Sequence, residues 1–184
     1  MTPQDIISFW QTDVGPDRWY NSDAALDAEI TRRFQAAWEK ARGGELAQWE
    51  TSAEGALALL LLLDQFPRNM FRGRAEAFST DAFARAVAER ALAQGFDLIT
   101  PSDLRAFFYL PYMHSESMTD QNRSVALIAE RLGTTAMNYP FALAHREEIS
   151  RFGRFPRRNA ALGRQSTPAE QEFLERSRRQ PPKA

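Results

Sequence analysis

With 184 residues, 43% of them hydrophobic and 26% charged, and a net charge of −1, the chain has the makeup of a globular domain that buries one core. It contains no cysteine, which excludes disulfides, thiolate metal sites and a cysteine nucleophile. Its longest apolar run, Ala56 to Leu63, would span roughly 12 Å as a helix against about 30 Å of hydrocarbon, so no membrane function is expected.

In chain order the signals are helical. Pro3 to Trp10 predicts a short opening helix that buries Ile6, Ile7, Phe9 and Trp10. A loop from Gly15 to Asp23 ends in small polar residues suited to capping a helix. From Ala24 to Arg42, Leu26, Ile30, Phe34, Ala37, Trp38 and Ala41 recur at three- and four-residue spacings, and Gly43-Gly44 stops that amphipathic helix. Thr51-Ser52 opens the most hydrophobic helix, Ala53 to Phe66, which is apolar all round and should be surrounded by others. Thr80 is expected to cap a helix to Gln94, closed by Gly95. A helix from about Ser102 to Leu110 is expected to end at Pro111, and another to start at Ser117 or Thr119 and stop at Gly133. Tyr139 to Phe152 forms a further helix. Thr167-Pro168-Ala169-Glu170 has the wording of a capping box and starts the last one, to about Arg178. The fold class is therefore all-α: residues 1–178 as one domain of about eight helices, an αα-superhelix or irregular bundle, and 179–184 as a disordered tail. No region leading from basic residues into a hydrophobic stretch opens the chain, so no signal peptide is expected and the cytoplasm is the expected location.

The small net charge conceals a gradient. Residues 1–60 hold ten acids and five bases, and residues 141–184 hold five acids and ten bases. The late arginines are expected to pair with acids from the front of the chain in a closed fold, and nucleic acid is disfavoured as a partner. Such a distribution is also compatible with a homodimer.

Two stretches read almost alike: Asp64-Gln65-Phe66-Pro67-Arg68-Asn69 and Gly153-Arg154-Phe155-Pro156-Arg157-Arg158-Asn159. Each Phe-Pro is expected to end a helix, because proline lacks an amide hydrogen and pushes its predecessor out of helical geometry. The donors that follow it would then line a shared site. Asp64 ends a leucine block, and burial there demands a partner, with Arg68 and Arg72 nearest in sequence. The chain has two histidines. His114 lies at a helix break beside Glu116, a setting that suits an acid–base pair, and His145 lies on a helix. One loop pair of His114 and Glu116 is too little for a metal, so neither metal nor cofactor is expected. Ser115 beside His114 does not make a triad, and Trp10, Trp19, Trp38 and Trp49 sit at core spacings rather than forming a ligand platform.

Leu62 to Asn69, Phe108 to Glu116, and Arg151 to Asn159 with Leu162-Gly163-Arg164 together resemble the bacterial domain of unknown function family 924, over essentially the whole chain. That resemblance implies an all-helical, tetratricopeptide-like fold without supplying an activity. It implies that Asp64, Arg68, Asn69, His114, Glu116, His145, Arg154, Asn159 and Arg164 are family-motif positions. The family's usual second motif reads Gly-Arg-Phe-Pro-His-Arg-Asn, and here Arg157 stands where histidine is common. Three functions follow as expectations. The first is binding of a small anionic ligand or acidic peptide through Arg68, Asn69, Arg154 and Arg157, with Asp64, His145, Asn159 and Arg164 alongside. The second is a hydrolase or lyase with His114 and Glu116 as acid–base pair and the arginines as anion clamp. The third is an interaction scaffold whose motif residues only lock helix ends.

Overall fold

The computed structural model describes residues 1–21 and 23–179. Beyond Arg179, which closes the last helix, the expected tail lies outside the described residues. The fold is all-α, with no strand among the described residues. None of their helices is long and apolar enough to cross a membrane.

Helix α1 (Pro3–Ser8) starts at a reciprocal cap between Thr2 and Asp5 and runs on as a π turn, Phe9–Val14, to Gly15. Asp23 accepts hydrogen bonds from the Ala25 and Leu26 amides and opens α2 (Ala24–Arg42). The residues that α2 buries are the six whose spacing predicts them, Leu26 through Ala41. After a 3₁₀ turn, Ala47–Thr51, Ser52 caps α3 (Ala53–Leu60), the hub of the core. Gly55 is required there, since a Cβ at that position would lie 2.0 Å from the Trp49 carbonyl oxygen. The expectation that the leucine block is enclosed on all sides holds: Leu57 and Leu59 to Leu63 are all buried. Packed about it are Phe9, Phe34, Phe66, Trp10, Trp19 and Phe107, with ring centroids 4.8–6.2 Å apart. Each such side chain contributes about 1.5–3 kcal/mol on burial.

Phe66-Pro67 does not end this helix. Instead α3 passes through a π turn, Leu61–Gln65, into α4 (Phe66–Met70), with Pro67 in the first turn of α4. A proline at 67 removes the donor that the Leu63 carbonyl would otherwise receive from four residues on. That carbonyl takes a hydrogen bond from the Thr80 hydroxyl instead, at 2.6 Å. Thr80 is thereby diverted from capping α5 (Asp81–Ala93), which begins without a side-chain cap. The short α6 (Phe96–Ile99) follows Gly95.

Where a helix from Ser102 to Leu110 was expected, the chain forms turns and a 3₁₀ segment, Arg105–Phe108. Pro111 lies in the first turn of α7 (Leu110–Met113), so it starts a helix rather than ending one, because a first-turn amide has no intrahelical partner to lose. Helices α8 (Met118–Arg131) and α9 (Asn138–Phe152) pack on each other, and α7 packs against α8 and α9. The second Phe-Pro does not end a helix either. Gly153, left-handed at φ 69°, already terminates α9, and Pro156 opens a 3₁₀ turn, Pro156–Arg158. In the final helix, α10 (Pro168–Arg179), the capping box is present: Glu170 accepts from the Thr167 amide at 2.8 Å and Thr167 from the Glu170 amide at 3.3 Å.

Candidate functional site

The π turn determines where the first polar run points. It carries Asp64 and Gln65, both buried, at its end. Insertion of a wider turn rotates these residues relative to the leucines before them, and π turns within α-helices frequently occur at functional sites. Asp64, 2% exposed, meets the Nδ1 of His114, which follows α7, at 2.8–2.9 Å. Arg68 lies 3.2 Å from the same carboxylate. Burial alone would raise the Asp64 pKa. The charge of Arg68 and the hydrogen bond from His114 outweigh it and hold the carboxyl below its ordinary range. An ionised carboxylate can only accept, so Nδ1 of His114 carries the proton and donates it. Burial and the nearby Arg68 charge keep His114 below its usual pKa, against the pull of Asp64, so the ring is neutral at pH 7. Its Nε2 is then a basic lone pair, with no hydrogen-bond partner among the described residues.

His114 lines two adjoining cavities, of about 180 and 120 Å³, which also share Tyr20 and Leu110. The larger is polar, with Gln65, Arg68, Asn69 and Arg72. The smaller is mainly apolar, with Met113 and Phe141, and ends at His145. The two imidazoles are 6.4 Å apart, centroid to centroid. His145 Nδ1–H donates to the Phe141 carbonyl at 2.8 Å, so its Nε2 is also the acceptor nitrogen, and burial lowers its pKa. Asn138 donates to the Tyr20 hydroxyl at 3.1 Å across the rim of this cleft.

The expected pairing of His114 with Glu116 gives way to His114 with Asp64. Glu116 is occupied elsewhere: it accepts two bonds from Arg164, at 2.7 and 2.9 Å, and one from the Phe155 amide at 2.8 Å. Burial would raise the Glu116 pKa, but these donors hold it low. Ser115 is likewise committed, donating to Asp120 at 2.6 Å.

The spare arginine donors expected of an anion clamp are ion-paired. Arg68 spans Asp64 and both oxygens of Asp81, and Arg72 holds Asp27 through two bonds at 2.7 and 2.9 Å. Arg154 makes a two-bond pair with the buried Glu170, at 2.7 and 2.8 Å, and Asn159 donates to the same carboxylate. Asn159 Oδ1 accepts from Arg164 in turn. Arg157 is exposed; it donates to Ser177 and lies over Phe173 of α10, away from the cleft lining. Its neighbour Arg158 turns inward. Arg158 bonds Asp81 at 3.3 Å and the His114 carbonyl at 2.8 Å, between the rings of Phe78 and Phe155, each 4.5 Å away. Burial and the Arg68 charge lower its pKa to about 10. Thus Asp64, Arg68, Asn69, His114 and His145 come together at the cleft, while Glu116, Arg154, Asn159 and Arg164 form a clasp beside it.

The family model described as "Bacterial protein of unknown function (DUF924)" matches residues 6–178. The chain belongs to this family. A protein of unknown function from Agrobacterium tumefaciens has a solved structure similar to this DUF924 member, with a TM-score of 0.89 and 45% sequence identity. The similarity covers 95% of this chain and 97% of that one. A search of curated proteins finds no match.

Sequence reasoning missed three cleft-supporting residues of this DUF924 member: Asp27, Asp81 and Arg158. Asp81 and Arg158 lie 77 positions apart, and nothing local marks either as a partner. The signal for Arg158 was present in the paired arginines after Pro156, but a 3₁₀ turn separates their directions in a way the sequence does not show. The tryptophans fall as expected: Trp10, Trp19 and Trp38 are buried and Trp49 packs on the core.

Proposed function

We propose that this protein is an acid–base enzyme acting on a small molecule, a hydrolase or lyase, with His114 as general base and Asp64 as its orienting carboxylate. The observation that carries this reading is the imidazole itself. Nδ1–H is fixed on a buried carboxylate, and Nε2, without a partner among the described residues, belongs to a ring that lines both halves of a cleft. A carboxylate in that position holds the histidine in the tautomer that presents a base and stabilises the imidazolium formed when it takes a proton. Since Ser115 is turned to Asp120, His114 would act on water or directly on a substrate proton. The arginines in this reading supply a fixed electrostatic frame through their pairs with Asp64, Asp81 and Asp27.

The binding-module reading draws its support from Arg72, which lines the cleft and is 47% exposed, so it retains access to an anion at the rim. The discriminating experiment is metabolite profiling with purified protein, comparing wild type with His114→Gln. Turnover by wild type that falls by on the order of 10³-fold in the variant supports general-base catalysis. Equal turnover removes His114 from the chemistry, and binding without turnover in either protein favours the module.

A further inference from the structure

Resting on that catalytic reading, we infer that the cleft recognises an uncharged carboxamide carrying an apolar substituent, and that Gln65 and Asn69 are its specificity-determining residues. The inference begins with charge. A site built for an anion leaves cationic donors unneutralised, whereas Arg68 and Arg72 here face Asp64, Asp81 and Asp27. What is left without a partner in the polar half is neutral.

Asn69 is 5% exposed, and its Nδ2 donates to Asp27 at 2.8 Å. Because the Asp27 carboxylate only accepts, the amide orientation is fixed, and Oδ1 is left buried with no hydrogen-bond partner. A buried acceptor in that state is destabilising unless something donates to it. Gln65 is 8% exposed, lines the same cavity, and its carboxamide has no partner among the described residues. Gln65 offers both a donor and an acceptor, and Asn69 Oδ1, closed to solvent here, becomes an acceptor once its side chain shifts toward the cavity. A carboxamide ligand matches that set: its N–H groups satisfy Asn69 and Gln65 oxygens, and its carbonyl accepts from the Gln65 amide. With Arg68 and Arg72 already held by Asp64, Asp81 and Asp27, an acid in the same place gains no unpaired cation. On the other side of His114, the cavity of about 120 Å³ with Leu110, Met113 and Phe141 accepts an apolar chain or ring. His114 stands at the junction of the two halves.

The test uses hexanamide, hexanoate and acetamide as probes of the full-length protein, with Kd from amide chemical shifts, including the Gln65 and Asn69 side-chain amides. Hexanamide is expected to bind at least tenfold tighter than hexanoate, which matches it in size, and at least tenfold tighter than acetamide, which lacks the tail. Gln65→Leu should weaken hexanamide at least tenfold, and Phe141→Ala, at an exposed position, should weaken hexanamide but not acetamide. Hexanoate binding as tightly as hexanamide, or no response to millimolar hexanamide from wild-type protein of native melting temperature, overturns the inference. Failure of the catalytic reading looks different. In that case hexanamide still binds selectively, while His114→Gln leaves turnover unchanged.

Discussion

The two Phe-Pro elements use nearly the same residues for opposite purposes. In the first, the chain stays helical through Pro67 by widening into a π turn, and its polar groups Asp64, Gln65, Arg68 and Asn69 lie along the cleft. In the second, Gly153 ends the helix before proline is reached, and the polar groups that follow bind protein. Arg154 and Asn159 hold Glu170 of α10, and Arg164 holds Glu116 beside the His114 loop. Arg158 crosses between them, bonding Asp81 and the His114 backbone. An arginine–asparagine motif therefore says little alone. What distinguishes site from clasp is whether the acceptors and donors are left open after the protein's own pairs are made.

The largest effect that would break this comparison is on catalysis in the first element. Asp64→Asn keeps the shape of the side chain but removes the charge that fixes the Nδ1–H tautomer. Turnover is expected to fall on the order of 10³-fold or more. In the proposed mechanism His114 acts in its neutral form, and because burial with the Arg68 charge lowers its pKa, the rate should hold at neutral pH and decline only on acidification. A pH–rate profile measures this; loss of activity already at pH 7.5 would contradict a neutral, buried base.

Next in size is the clasp. Arg154 holds the Glu170 pKa down to about 2 from an ordinary 4.5, assisted by the Thr167 amide against the effect of burial. A lowered folded pKa means that this stability is fully present above pH 4.5 and is lost as pH falls through about 2. Glu170→Gln should cost about 2–3 kcal/mol at pH 7, partly screened because Arg154 is partly exposed. Urea midpoints at pH 7, 4 and 3 should converge between wild type and variant as the pH drops. Turnover per folded molecule should be unchanged, and a loss of it would join the clasp to the site.

Much of this architecture was legible. The amphipathic stripe of α2, the enclosed leucine block and the capping box of α10 follow from spacing and cap chemistry, which act locally. The π turn was not, because the Leu63 carbonyl within it is met by the Thr80 hydroxyl, 17 residues further on, a partner that no local pattern reveals. In the sequence Asp64 is a charge in need of a partner, yet its histidine comes from 50 positions away. Glu116 was the nearer carboxylate in sequence and the wrong one in space. Thr80→Val tests the hidden connection. It leaves the Leu63 carbonyl unsatisfied in the core and takes the hydroxyl from Trp38 Nε1, for about 1–2 kcal/mol of stability measured by chemical denaturation. If the π turn depends on that bond, backbone amide shifts from Leu61 to Arg68 should also move; shifts confined to residue 80 would show the turn is maintained by packing alone.

The smallest effect separates the two elements most finely. The family resemblance implies a histidine at the position of Arg157, so it is where a further imidazole would be sought. In this chain its guanidinium donates to Ser177 at 3.2 Å and lies 5.4 Å from the Phe173 ring, both on α10, and the side chain is exposed. Exposed contacts of this kind contribute within about 0.5 kcal/mol. Arg157→Ala should therefore shift the denaturation midpoint within that margin and leave turnover and its pH profile intact, and Arg157→His should do the same. A tenfold change in rate from either substitution, with stability unaffected, would mean that the second element reaches the reacting groups through motion of α10, and the division between cleft and clasp would no longer hold.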